Sequence, residues 1–402
     1  MKKRVVITGM GIITSLGAGS AVTASALERS APEIDIITSF DASGHRTNQG
    51  GEVNSEMLKN TPDKNSRFPL DRSSKLLLCA CKEALESAKL PSSKEYIMAP
   101  LIMGTTLGGM LAGQRYHRAV LLQENTRKYA PLLGDALCRQ LYHVASILEI
   151  VGDAVVLNNA CASGLSAIGY AYRRVRLGKS VAAIAGGYDE MSDFTHAGFN
   201  SLQLITSDKC RPFDKNRSGL ILGEGAGVVV LEELGNAIKR QATIYAEIIG
   251  YGQTSDAYHI TKPDPEARGA ARAICEAIEE ALIAPEAIDY VNAHGTGTRS
   301  NDTMEAKALY LSLGGYARKV PISSTKPFTG HLLGAAGATE AIFSVISLQK
   351  NIIPENLNFE TPDPECNLNI VTGGSKKQNL NVVLSNSFGF GGSNSAMLLR
   401  KF

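Results

Sequence analysis

DAVVLNNACASGLSAIGYAYRRV, residues 153–175, holds a short apolar strand, a turn and an apolar helix in one unbroken stretch, with Cys161 at the junction. A strand turning directly into a helix is the building unit of α/β proteins. The same geometry activates a thiol. A free cysteine has a pKa of about 8.5, and a helix N-terminus lowers it by offering partial positive charge and unpaired N–H groups to the thiolate. The small neighbours Ala160, Ala162, Ser163 and Gly164 would let a substrate approach. Taken alone, the segment fits a buried structural cysteine equally well.

On either side, apolar β-branched runs near 4–8, 154–158, 181–185, 227–231, 244–250, 288–292 and 381–385 alternate with helical patterns. This is the layout of covered sheets in an α/β protein. Leu76 to Leu90 reads as a helix begun near Asp71 or Ser73 and stopped by Pro91. Cys79 and Cys81 point to different faces of it and read as packing residues. The section 107–142 is more polar, carries Arg115, Arg118, Arg127 and Lys128, and reads as an insertion or cap over the sheet core. A charged helix at Leu234 to Gln241 precedes a fresh strand-rich stretch, dividing the chain into halves 1–240 and 241–402. RVVITG reads as a buried strand running into a glycine turn. The cluster GEGAG at 223–227 lacks the Lys-Ser/Thr of a phosphate loop, and GMG at 9–11 lacks the third glycine of a dinucleotide fingerprint, so both read as close-packed turns.

Composition removes several function classes. The 402 residues carry 41 basic and 39 acidic side chains, a formal charge of +2, so no global field attracts nucleic acid or an anionic membrane. Seven scattered cysteines (79, 81, 138, 161, 210, 275, 366) suit neither a disulfide framework nor paired zinc ligands and point to a reducing cytoplasm. Lys2, Lys3 and Arg4 ahead of an apolar run faintly imitate a signal peptide, but Gly9, Gly11, Thr14 and Ser15 interrupt it. No run approaches the roughly 18 apolar residues of a membrane span.

Three further segments carry chemistry-bearing residues. YVNAHGTGT presents His294 in a glycine loop after a strand, and SSTKPFTGHLLGAAGATEAIF presents His331 ahead of a small-residue helix. NSFGFGGSNSAML holds an exposed-looking pair, Phe388 and Phe390, among glycines whose N–H groups could form an oxyanion hole. A lone histidine is usually a packing residue. Two in glycine loops, with a cysteine on a strand-to-helix turn, suit nucleophilic catalysis.

Taken in order, RVVITGMG, the cysteine elbow, RPFDKNRSGLILGEGAG, SDAYHIT, NAHGTGT, STKPFTGHLLGAAG and NSFGFGGSN resemble the elongating β-ketoacyl-[acyl carrier protein] synthases of the thiolase fold superfamily. The resemblance spans nearly the whole chain. It implies a thiolase-like α/β fold of two pseudo-duplicated mixed-sheet halves in a layered αβαβα arrangement, and a homodimer. It makes Cys161 the acyl-accepting nucleophile, with His294 and His331 assisting decarboxylation of a malonyl thioester and stabilising the enolate as Nε2–H donors. Lys326 and Glu340 match a supporting pair. The backbone N–H groups of Cys161 and Phe390 match the oxyanion hole, and Phe390 also matches a gate. Thr296 and Thr298 match positions holding a phosphopantetheine arm, which arrives on an acyl carrier protein; no bound cofactor or metal is implied. Phe199, residues 107–113 and the partner subunit line the acyl pocket on this resemblance, with Phe388 beside the gate.

Some positions depart from the housekeeping pattern. NNACASG lacks the usual threonine before the cysteine, RSG stands for RDG, TGT for TST, and Phe68-Pro69 for a basic pair, leaving Lys64, Arg67 and Arg72 nearby. These leave the carrier and acyl chain open and admit a specialised ketosynthase of polyketide or aryl-polyene type, including a heterodimer. A non-catalytic chain-length-factor-like subunit would usually lose the nucleophile. A coenzyme A-using thiolase would want a second cysteine near the C-terminus, which NSFGFGG lacks.

Overall fold

A computed structural model describes residues 2–59, 70–127 and 138–402. Lys64, Arg67, Phe68, Pro69, Lys128 and the 128–137 part of the expected cap lie outside them. The principal strands are β1 (Val5–Thr14), β2 (Leu101–Gly104), β3 (Ala154–Leu157), β4 (Ala182–Asp189), β5 (Gly225–Glu233), β6 (Ala246–Ser255), β7 (Tyr290–Asn292), β8 (Pro321–Ser323), β9 (Val382–Gly389) and β10 (Ser393–Arg400). The principal helices are α1 (Arg72–Ala88), α2 (Arg139–Ile147), α3 (Ser163–Arg176), α4 (Arg268–Ala281), α5 (Arg299–Leu313) and α6 (Ala336–Lys350). No helix among the described residues is long and apolar enough to cross a membrane.

The strands join in one mixed sheet whose order is β8-β7-β9-β10-β6-β1-β5-β4-β2-β3, with a two-residue strand at Asn369–Ile370 beyond β8. The order is the same read outward from the β1–β6 pair in either direction. In each half the three outer principal strands run parallel and the two inner pairings are antiparallel. The connectivity repeats too, each half running β-α-β-α-β-α-β-β. The duplication is therefore topological.

α3 and α6, which occupy equivalent places in the two halves, pack against each other and touch strands of both. α6 contacts β9 and also β5, four steps apart in the sheet order. At about 4.8 Å per strand, a flat sheet would hold those strands about 19 Å apart, wider than the roughly 10–12 Å diameter of a helix that returns alongside its strands. The sheet therefore folds around the two central helices, while α1 and α4 cover its outer faces. This is a five-layered αβαβα arrangement. The central helices bury a continuous apolar cluster that includes Leu165, Ile168, Tyr172, Ile342, Phe343 and Ile346.

α1 runs Arg72–Ala88, and the Asp71 carboxylate caps it by accepting the Ser74 N–H. The expected turn at Gly9–Gly11 is instead the middle of β1, which continues to Thr14 past a register shift between Ile7 and Gly9. Gly225 and Gly227 likewise lie in β5. These glycines are close-packed, but within strands. β2, β8 and β10 had no counterpart among the expected strands. Each is short or polar: LIMG, PIS and SNSAMLLR. The described part of 107–142 forms the helix Met110–Leu121, and α2 begins at Arg139.

Candidate active site

Cys161 follows β3 on a tight elbow. Ala160 is held at φ 50°, a left-handed conformation that costs a non-glycine residue of order 1 kcal/mol or more and tends to collect at functional sites. The elbow is held because Ser163 Oγ accepts the Asn159 N–H at 2.8 Å and donates to the Ala160 carbonyl at 2.6 Å. α3 then begins at Ser163 and points its N-terminus at the thiol region. Gly164 is small for another reason than substrate access. A Cβ there would lie 2.7 Å from the Gly334 carbonyl and 2.9 Å from the Ala338 nitrogen, so its size lets the central helices meet.

The expected lowering of the thiol pKa is outweighed. Burial pushes the Cys161 thiol up to about 12, against the pull of Lys326 and a hydrogen bond from the Phe390 backbone N–H. At neutral pH the side chain therefore rests as a thiol.

His294 follows β7. Glu305 on α5 shapes its loop by accepting the His294 and Gly295 N–H groups at 2.8 and 2.7 Å. Asp302, one turn earlier, accepts the Thr296 N–H at 3.1 Å, and the Thr296 and Thr298 hydroxyls meet at 2.9 Å. His331 lies between β8 and α6, at the place equivalent to Cys161 in the other half. The two imidazoles meet edge to face with centroids 5.4 Å apart, and the Phe388 ring stands 5.7 Å from His294.

Both histidines are neutral, since burial first and Lys326 second hold each well below the ordinary value. The structure also sets their tautomers. Lys326 Nζ lies 3.2 Å from His294 Nδ1, and an ammonium can only donate. The Leu333 backbone N–H donates to His331 Nδ1 at 3.3 Å. Each ring therefore carries its proton on Nε2. Behind them, Lys326 donates to Glu340 Oε1 at 2.5 Å, with both side chains buried. Burial pushes Glu340 up to about 7 despite that lysine.

Cys161, His294, His331, Thr296, Thr298, Phe199, Phe388 and Phe390 line one cleft. Phe390 is half-buried and stacks on Phe199 with centroids 5.5 Å apart. The expectation of an exposed aromatic pair fails for Phe388, which is 4% exposed because β9 carries it into the core before the 390–392 turn. Lys326 and Glu340 stand one layer back from the cleft. Sequence reasoning missed Asp189, Asp302 and Glu305. Each is a carboxylate at the end of an apolar strand or the start of a helix, and each gathers backbone N–H groups of a site loop. An acid on the apolar face of a helix, directly after a glycine loop, is the signal that could have found Asp302 and Glu305. Among the described residues no group of three or more His, Cys, Asp or Glu could hold a metal ion.

Family models for the N-terminal and C-terminal domains of beta-ketoacyl synthase match residues 2–237 and 245–360. The chain belongs to the β-ketoacyl synthase family. A curated β-ketoacyl synthase of Synechocystis sp., 3-oxoacyl-[acyl-carrier-protein] synthase 2, is 38% identical across 100% of this chain and 99% of its own. Among solved structures, the ishigamide ketosynthase/chain length factor is 31% identical, with a TM-score of 0.92 and full coverage of both chains. A type II PKS acyl-carrier protein in complex with its ketosynthase bound to the hexaketide matches at 25% identity and a TM-score of 0.88, again over both full chains. The β-ketoacyl synthase resemblance of the sequence and the thiolase-like fold stand together.

Proposed function

We propose that this chain performs a decarboxylative Claisen condensation, joining an acyl group held on Cys161 to malonyl-[acyl carrier protein] to give a 3-oxoacyl-[acyl carrier protein]. One observation carries the reading. A buried thiol shares a single cleft with two neutral imidazoles that both present Nε2–H. In the first step Cys161 Sγ attacks the acyl thioester, and its proton leaves with the carrier thiol. The exchange stores no net charge, which suits a thiol held neutral by burial. In the second step the malonyl C–C bond breaks, carbon dioxide leaves, and the electron pair becomes an enolate. The two Nε2–H groups donate to its oxygen. The enolate carbon attacks the acyl carbonyl, Cys161 departs as thiolate, and the thiolate regains a proton.

Neutral donors suit this role, because a fixed dipole in a dry site stabilises developing charge without reorganising. The Cys161 and Phe390 N–H groups serve the acyl oxyanion, with Phe390 as gate against Phe199. Thr296 and Thr298 receive the phosphopantetheine arm that an acyl carrier protein delivers; the solved ketosynthase–carrier complex supports this partner. We place the enzyme in the cytoplasm, as a homodimer of 1–240 and 241–402 halves, extending chains in fatty acid biosynthesis. A second reading, a specialised ketosynthase of polyketide or aryl-polyene type paired with a related subunit, is favoured by the likeness to the ishigamide ketosynthase/chain length factor.

Intact-protein mass spectrometry after incubation with acyl-carrier thioesters of graded length and unsaturation tests the proposal. The wild type gains an acyl adduct that Cys161→Ala lacks, while His294→Ala and His331→Ala keep the adduct and lose condensation. An adduct on Cys161→Ala, or normal product from either histidine variant, overturns the assignment. Product masses separate the two pathways.

A further inference from the structure

Asp189, at the end of β4, is fully buried and accepts hydrogen bonds from two places that the chemistry keeps apart. On one side it takes Thr105 Oγ1 at 2.6 Å and the backbone N–H groups of Thr106, Leu107 and Gly108 at 2.8, 3.0 and 3.2 Å. On the other it takes the Gly334 N–H at 2.7 Å. Gly334 follows Leu333, whose own N–H fixes the His331 tautomer. Leu333 is held at φ 53°, so this short loop keeps its shape against local preference. The approach is close enough to require a glycine, because a Cβ on residue 334 would lie 2.6 Å from both Asp189 Oδ2 and the Thr106 nitrogen.

Apolar contacts join the same two places. Leu107 and Phe199 pack on the cluster that contains Leu333, and Phe199 stacks on Phe390 at the cleft. Phe199 lines the cleft and packs with Leu107 on one cluster, so a chain lying against Phe199 bears on a turn that shares one carboxylate with the His331 loop.

We infer that Asp189 is a positioning residue that locks the Thr105–Gly108 turn, which packs beside Phe199 of the cleft, to the His331 loop, so that the turn's placement sets His331 for the condensation step. The inference rests on the condensing reading of the site. It makes Asp189 act in the second half-reaction and leaves transfer of the acyl group to Cys161 nearly untouched. A residue that served folding alone would weaken both halves together.

The test measures the two half-reactions separately, by mass spectrometry of the Cys161 adduct and by 3-oxoacyl product per acylated enzyme, across short and long acyl donors. Asp189→Asn keeps the shape but replaces one accepting oxygen with an NH₂ that faces N–H donors. It should acylate within about twofold of wild type and lose condensation by about tenfold to a hundredfold, the loss growing with acyl length. Thr105→Val, which removes the hydroxyl that donates to Asp189 and accepts the Gly108 N–H, should show the same split more weakly, and Thr105→Ser should restore it. These two variants carry the test if Asp189→Asn does not fold. Equal losses in both half-reactions, or unimpaired condensation, overturn the inference. A wild type that gains no Cys161 adduct overturns instead the condensing reading.

Discussion

Cys161 receives opposing influences, and their balance has a chemical consequence. The start of α3, the Phe390 N–H and Lys326 favour thiolate, yet burial wins and leaves a thiol. The same burial keeps His294 and His331 neutral, which an enolate site needs, because a protonated ring would have to be charged at the expense of solvation. Glu305 and Glu340 are both pushed by burial into the working range, and Glu340 is the one that touches Lys326. As an acid pushed up to about 7, it is protonated below that pH and anionic above it. Only the anion pairs fully with Lys326, whose ammonium orders His294 Nδ1. Condensation should therefore rise with pH through about 7, and Glu340→Gln should run low and lack that limb in a pH–rate profile. A limb unchanged in Glu340→Gln would assign it to another group. Cys161, His294 and His331, which share the cleft, were legible because cysteine and histidine stand out among glycines. Asp189, Asp302 and Glu305 were not, since an acid beside apolar residues looks like a surface position until the chain folds and brings loop N–H groups to it.

The pairing of strand and helix shows the duplication in a form that periodicity concealed. In β1, Gly9 and Gly11 lie under α1, where added Cβ atoms would come within 2.3 Å of the Ala84 carbonyl and 2.1 Å of the Ala80 carbonyl. In β6, Gly250 and Gly252 meet the Ala277 and Ala273 carbonyls of α4 at 2.0 and 1.9 Å in the same way. ITGMG and IIGYG are thus one device used twice, a bare patch on a strand that lets a helix sit directly on it. Gly11→Ala and Gly252→Ala should each cost about 1–3 kcal/mol through overpacking. Gly315→Ala, where a Cβ meets nothing within 4 Å, should stay within about 0.5 kcal/mol. Urea midpoints read the difference; equal midpoints for Gly11→Ala and Gly315→Ala would mean that α1 shifts freely. The long β-branched strands were visible in the sequence, as was the Asp71 cap. β2 and β8 were hidden because LIMG ends on glycine and PIS opens on proline, so neither shows the β-branched run that marked the equally short β3 and β7.

The sheet has one end that the described chain does not cover. β3 pairs with β2 alone, and all four of its residues are half-buried. Leu101 N–H bonds to the Asp153 carbonyl and Thr105 N–H to the Leu157 carbonyl. In a parallel ladder that alternation turns the backbone groups of residues 153, 155 and 157 toward β2 and those of Ala154 and Val156 outward. Side chains are already covered, Val155 and Leu157 by one core cluster and Ala154 and Val156 by another. What stays open is an uncharged, unpaired edge, which proteins ordinarily blunt or pair. A second copy running antiparallel about a two-fold axis would pair it with itself. Light scattering should give twice the chain mass. Val156→Pro removes an outward N–H while sparing the β2 ladder, so it should shift the protein toward monomer without unfolding it. Because β3 runs straight into the Cys161 elbow, acylation should fall as dimer is lost and recover at higher protein concentration. A Val156→Pro variant that remains dimeric at every concentration would place the interface on another face.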